Sequence, residues 1–269
     1  MANESFAGTA GAATGGPLLE PRAVGVGRGA SWWGEGWRLF TPAVLMWLLI
    51  ALFFVGCVIV LAIVGMIPIL GQLIGLGVQV ISPVLAGGLM LGCRAIDRGN
   101  PLLFTHLFAG FSQRTGPLIT MGLIYTGLSI LIWLVIAAIM MVAFGAAIFR
   151  LFIGTPDPSQ LAMSGSDLVL VVLLGILFFL LLLLPLVMAI WFAPALVMLG
   201  GMSAGAAMMA SFKGCLRNIL PFLLYGMIGL GLSIVASIPL GLGWFILGPL
   251  MFATIYSSYC DIFEDKDTA

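Results

Sequence analysis

Charge is what this sequence has least of. Only 7% of its 269 residues are Asp, Glu, Lys or Arg, while 62% are hydrophobic. A soluble domain carries about 25% charged residues. The polar groups here are too few to cover a water-facing globule of this length, so lipid must solvate most of the chain. The formal net charge is zero, which removes the basic balance expected of a nucleic-acid binder. Histidine is nearly absent: His106 stands alone, and most hydrolytic schemes draw their base from that residue type. No nucleophile–base arrangement, phosphate-cradling loop or metal-spaced His pair occurs.

Cysteine is sparse as well. Cys57, Cys93, Cys215 and Cys260 form no Cys-x-x-Cys pair and no disulfide framework. Three of them, with His106, fall near one predicted membrane face, and such a set can hold zinc. Their spacing matches no zinc motif, so they read as small buried residues or free thiols in a reducing compartment. No catalytic, cofactor-binding or metal-binding residue is expected, and no cofactor. The last scarcity is the most informative. No Asp, Glu, Lys, Arg or His lies inside the six predicted spans, and such residues usually mark proton relays and ion pathways. Their absence argues against a proton-driven carrier.

What is present is a chain of long apolar runs punctuated by proline. Residues 1–30 are rich in Gly, Ala and Thr and read as a disordered tail. They lack the apolar stretch of a signal peptide, so the first apolar segment is expected to be an uncleaved anchor. Ser31–Phe40 sets Trp32, Trp33 and Trp37 beside Arg38, a pattern favoured at a membrane interface. Pro42 then opens a run to about Gly65, Met66–Gly71 reads as a tight turn, and Gln72–Cys93 returns. Gly71/Gly75 and Gly88/Gly92 have small-xxx-small spacing for close helix approach. Arg94, Asp97 and Arg98 read as a solvated cap touching headgroups.

Asn100-Pro101 starts a second short segment in which Leu103, Phe104, Leu107, Phe108 and Phe111 recur at helical spacing, as in an interfacial helix. Pro117 opens a third span that runs apolar to Phe149, too long for a bilayer unless it tilts, breaks or projects. Arg150–Asp167 is a loop with turn chemistry at Thr155–Ser159, and Leu168–Leu199 is a fourth span interrupted by Pro185 and Pro194. Ser203–Asn218 is a third short segment. Pro221 opens span five, Ser237–Gly241 is a turn, and span six ends near Cys260. An acidic tail follows from Asp261, its end at 264–269. The polar side chains Gln72, Gln79, Thr120, Thr126, Ser129, Ser233 and Ser237 inside the spans suit hydrogen bonds between helices.

The chain also writes one stretch twice. Phe108–Ile130 shifted by 104 positions meets Phe212–Ile234 with nine identities in 23, including Gly110/Gly214, Pro117/Pro221 and the Gly-Leu-Ser-Ile runs at 127 and 231. Chance would supply roughly two. An aromatic sits nine residues before each opening proline: Trp33/Pro42, Phe108/Pro117 and Phe212/Pro221. Each return helix carries a proline of its own, Pro83, Pro194 or Pro249. The expected fold is an all-α integral membrane protein, residues 31–263 forming six transmembrane helices as three parallel foot-plus-hairpin repeats with interfacial amphipathic feet. Gly127 and Gly231 are expected at equivalent close contacts. Nine of the ten Lys and Arg fall on one side of the spans and Arg150 alone on the other. By the positive-inside rule both termini and all three feet are then cytoplasmic.

The run Met90-Leu-Gly-Cys-Arg-Ala-Ile-Asp-Arg-Gly99, together with Leu107–Phe111, Phe192–Leu196, Cys215–Asn218 and Pro239–Trp244, resembles an uncharacterised family of proteobacterial polytopic inner-membrane proteins. The resemblance spans residues 20 to 263 and implies an inner-membrane location. It implies no activity and no site residues. The chain is therefore expected to be a non-enzymatic scaffold or accessory protein whose partners are membrane lipids, other membrane proteins or further copies of itself. A passive channel or lipid or small-solute permease is the alternative.

Overall fold

The computed structural model describes residues 20–153 and 165–264. The turn expected at Thr155–Ser159 lies outside the described residues, as do residues 1–19 of the expected disordered tail and most of the acidic tail, 265–269. The described residues form ten α-helices and no strand: α1 Arg28–Phe40, α2 Val44–Gly65, α3 Pro68–Asp97, α4 Ala109–Gln113, α5 Thr115–Ile153, α6 Gly165–Trp191, α7 Ala193–Met198, α8 Ala204–Arg217, α9 Ile219–Ser237 and α10 Trp244–Phe263. Two 3₁₀ turns, Thr41–Ala43 and Phe104–Phe108, lead into α2 and α4. Six helical stretches are long and apolar enough to cross a membrane.

Local chemistry explains the boundaries. Pro68 opens α3 where its missing N–H costs nothing. α3 stops at Gly99, whose φ of +77° suits a residue without Cβ. The Gly99 and Asn100 amides close the helix by donating back to the Ile96 and Ala95 carbonyls. α5 is continuous for 39 residues, about 58 Å, so of the three outcomes expected for the third span it does not break. Pro83, Pro185 and Pro249 sit inside helices. At Pro194 the fourth span breaks, between α6 and α7. There Ser211 of α8 inserts its hydroxyl into the helical ladder, accepting from the Phe192 amide at 2.9 Å and donating to the Met188 carbonyl at 2.7 Å. An inserted side chain is a known cause of helix kinks.

The short segments pack in a cyclic order. The 3₁₀ turn at Phe104–Phe108 and α4 lie against α3, α8 lies against α6 and α7, and α1 lies against α9 and α10. Each therefore seats on the hairpin before it, and the first seats on the last. Glycine makes the seats close. A Cβ at Gly29 would stand 2.1 Å from the Pro221 carbonyl oxygen, one at Gly110 2.2 Å from that of Val84, and one at Gly88 2.4 Å from that of His106. Gly122 of α5 meets the Val80 carbonyl in the same way.

Several expectations are corrected here. Gly127 and Gly231 face open space, with nothing within 4 Å of an added Cβ, because α5 and α9 contact their neighbours through other faces. Gly88 and Gly92 of the small-residue pairs do receive the chain at Leu102–Leu107, whereas Gly75 meets nothing. Trp32 and Trp33 are core residues, 0% and 8% exposed, rather than interface anchors. Trp33 stacks on Tyr225 at 4.8 Å and donates its indole N–H to the Tyr225 carbonyl. α9 and α10 offer α1 a groove, and a groove buries rings that a free interface would leave wet. Trp37 alone stays half exposed. The segment around Phe104 is a 3₁₀ turn that buries Leu107 and leaves Phe104, Phe108 and Phe111 outward. Gln79 donates to Ser129 at 2.9 Å, joining α3 to α5 as expected of a polar residue between helices.

These contacts separate two classes of glycine. Gly29→Ala and Gly110→Ala are expected to lower thermal stability in detergent by about 1–3 kcal/mol through overpacking. Gly127→Leu and Gly231→Leu are expected to leave the melting temperature of the single chain unchanged within about 0.5 kcal/mol.

Candidate functional site: a polar clasp and lateral apolar clefts

At one end of the bundle the scarce charges meet. Asp261 of α10 is 5% exposed. Its carboxylate accepts from Arg28 Nε at 2.5 Å and from the Trp32 indole at 3.1 Å. Arg28 also pairs with Glu35 at 2.7 Å, one face of α1 holding both. The chain before α1, placed in the disordered tail by composition, is tied in beside them. Arg22 donates from Nε to the Asp261 carbonyl and from its amide to the Ile262 carbonyl. Asn218, 1% exposed, accepts from the Val24 amide at 2.8 Å and donates to the Arg22 and Gly214 carbonyls. Residues Pro21–Val24 thus form a strap that donates to carbonyls at the C-terminal end of α10, groups that a helix end leaves without partners, and that is held at the end of α8 by the Arg217 and Asn218 side chains.

A second cluster stands on α3. Arg94, expected in a solvated cap, pairs with Glu264 and is 17% exposed. Asp97 accepts from the Tyr256 hydroxyl at 3.2 Å and faces Arg38 at 3.8 Å. Arg98 remains exposed, with no ion pair among the described residues. Cys215 lies elsewhere, at the α6–α8 junction with Sγ 3.6 Å from the Met188 carbonyl, and burial pushes its thiol up to about 12. His106 Nδ1 accepts the Leu103 amide at 3.1 Å. Burial holds its imidazole below the usual histidine range, which keeps that nitrogen an acceptor.

Composition missed Asp261 and Asn218. Asp261 reads as the start of an acidic tail, yet Ile262 and Phe263 follow it and are 0% and 6% exposed. Those two apolar residues were the available signal that the helix continues through the carboxylate. Asn218 precedes Pro221 and reads as a simple segment boundary.

Away from the clasp the cavities are apolar and open sideways. One of about 320 Å³ lies between α2 and α10, lined by Trp47, Ile50, Phe54, Leu89, Trp244 and Pro249. A larger one of about 800 Å³ lies between α2 and α3, bounded by Phe53, Cys57, Ile81, Leu85, Phe111 and Phe252. Of α2 only Trp47 and Ile50 are buried, so this helix leans away from the bundle for most of its length. No Asp, Glu, Lys, Arg or His lines either space. Such walls can solvate a hydrocarbon chain or an apolar helix face, and they offer nothing to a reacting or hydrated group.

Two tests follow. Asp261→Asn is expected to destabilise by about 2–3 kcal/mol in detergent denaturation, because it removes the buried charge that Arg28 and the Trp32 indole both donate to, leaving Arg28 with Glu35 alone. Arg38→Gln, which breaks a long and exposed pair, is expected to cost under about 1 kcal/mol. His106 has a folded pKa below its unfolded value of about 6.5. Its contribution is therefore complete above that value and lost as pH falls through the folded one. Hydrogen-exchange protection at Leu103–Ala109, corrected for the intrinsic rate, is expected to fall as pH drops through the folded value and to lose that pH dependence in His106→Asn.

No family profile, characterised protein or solved structure matches the chain.

Proposed function

We propose that this chain is a non-enzymatic scaffold or accessory protein of a bacterial inner membrane, built from three cyclically arranged units of short segment plus helical hairpin. One observation carries the reading. The chain sets its acidic groups against arginines, Asp261 with Arg28, Arg94 with Glu264 and Asp97 with Arg38, while the two clefts beside α2 are apolar. An enzyme or coupled transporter needs ionisable groups facing its substrate. A protein whose work is to hold helices in a defined array does not.

Two further features support the arrangement. The duplicated Phe108–Ile130 stretch is matched by the way each short segment seats on the preceding hairpin. The seating glycines differ in what they meet: Gly110 meets Val84 of the preceding hairpin, whereas its sequence counterpart Gly214 meets Phe263 and Pro21. Location and orientation rest on the resemblance around Met90–Gly99 and on the bias of nine of the ten basic residues to one side. That bias puts both termini in the cytoplasm. A passive pore, the competing reading, needs a polar path between the spans, and the two clefts beside α2 are apolar.

A phosphatase reporter inserted after Ser159 is expected to be active outside the cytoplasm, and one at the C-terminus inactive. The reverse pattern would invert the topology. In reconstituted liposomes the protein is expected to release no entrapped small solute and to scramble no lipid, and crosslinking in its native membrane to recover a second membrane protein or a second copy. Solute flux from a purely monomeric protein would overturn the scaffold reading.

A further inference from the structure

The cavity of about 800 Å³ has a neighbour beyond the aromatic residues beside α4. A second hollow of about 620 Å³ lies at the start of α2, between Pro42, Leu45 and Leu49 on one side and Gly99, Asn100 and Leu102 on the other. The two follow one face of the same helix. Leu45 and Leu49 line the smaller, and Phe53, Gly56 and Val60 line the larger. These residues recur at spacings of three and four, so they share a stripe. From Leu45 to Val60 the stripe is about 22 Å long at 1.5 Å per residue. A single bilayer leaflet with its headgroups is about 20–22 Å thick. Between the hollows sits a cluster of outward rings: Phe53 meets Phe104 at 5.5 Å and Phe108 at 6.0 Å, each edge-on.

The ends differ in chemistry. The Val60 end has only apolar walls, with Ser82 as a polar exception whose hydroxyl is turned to the Gln79 carbonyl. The Gly99–Asn100 end exposes backbone polar groups and the Asn100 amide. Arg98 adjoins it in the chain, exposed and without an ion pair among the described residues. Arg38, 75% exposed, is held only by its long contact to Asp97. Two acidic groups stand at this end, Asp97 against Arg38 and Glu264 against Arg94, so Arg98 is the positive excess. The groove is thus graded from basic and polar to apolar over the length of one lipid.

We propose that this groove binds an anionic glycerophospholipid, with its headgroup at Gly99–Asn100 beside Arg98 and one acyl chain laid along α2 toward Val60. The lipid fills the space that α2 leaves by leaning outward, and it joins α2 to α3 and the Phe104–Phe111 segment. The charge excess selects the headgroup. The apolar stripe holds the chain whatever the headgroup.

The test uses the full-length protein in detergent, mixed with equal amounts of phosphatidylglycerol and phosphatidylcholine bearing the same chains, with the retained lipid read by native mass spectrometry. The wild-type protein is expected to keep the anionic lipid over the zwitterionic one by about five-fold, the factor supplied by about 1 kcal/mol for one basic residue near a lipid surface. Arg98→Gln is expected to bring the ratio near one without lowering total retention. Gly56→Leu fills the groove from a position where an added Cβ meets nothing within 4 Å, and is expected to cut retention of both lipids several-fold. Gly231→Leu, equally open but on α9, and Lys213→Gln, which removes an exposed basic residue away from the groove, are expected to change neither quantity. Equal retention of the two lipids by the wild-type protein would overturn the proposal, as would undiminished retention in Gly56→Leu. Liposome flux is a separate readout, so the lipid site and the scaffold reading can fail independently.

Discussion

Helices in hydrocarbon gain little by hiding apolar surface from lipid that is equally apolar, so they associate through close packing and hydrogen bonds. Here that need is met by glycine set against a backbone carbonyl. Gly29 on Pro221, Gly110 on Val84, Gly122 on Val80 and Gly88 on His106 bring backbones to a separation that any Cβ forbids. At such distances a glycine Cα–H can donate weakly to the carbonyl, and van der Waals contact accumulates along the interface. Everything larger in the fold follows from these seats. Each short segment presses one face into the bundle, and Trp32 and Trp33 are carried into the core with α1.

Once these segments are in place, the few charges fall together at one end. Asp261 is buried only because α1 covers it, and it is tolerable only because α1 also delivers Arg28 and Trp32. Such a carboxylate is a specifying group more than a stabilising one: alone it would be expensive, and paired it roughly offsets its own desolvation. Its contribution is to make one placement of α1 much better than its neighbours. The strap Pro21–Val24 extends that logic: it donates to carbonyls at the end of α10 and accepts from the Arg217 and Asn218 side chains at the end of α8. In this way polar chemistry determines register, and apolar packing supplies the affinity between helices.

The parts legible in the sequence were those governed by medium and by proline. Hydropathy found all six spans, and Pro42, Pro117 and Pro221 marked where three of them begin, because these signals are local. The cyclic seating was not legible, since α1 finds its partner in a hairpin nearly two hundred residues away and no pattern within α1 names it. Gly127 and Gly231 misled for the same reason. Identity between copies shows that a position is repeated, but a helix has several faces and only the neighbours decide which is covered. The interfacial reading of Trp32 and Trp33 failed on a missing third body, the groove between α9 and α10. The clefts beside α2 were invisible because an apolar helix reads alike whether it is packed or leaning into lipid.

The pairing of the first segment with the last hairpin has a consequence for synthesis. Arg28 leaves the ribosome early, whereas Asp261 is made 233 residues later. At 5–20 residues per second that interval is roughly ten to fifty seconds. During it α1 must wait with its tryptophans uncovered, while the first two hairpins are already inserted. Closure is therefore a late, post-insertion event, and a chain truncated before α10 has every earlier span and no place to put its beginning. Nascent protein in that interval offers quality-control proteases and chaperones a defined exposed element, and the clasp at Asp261 is the contact that withdraws it.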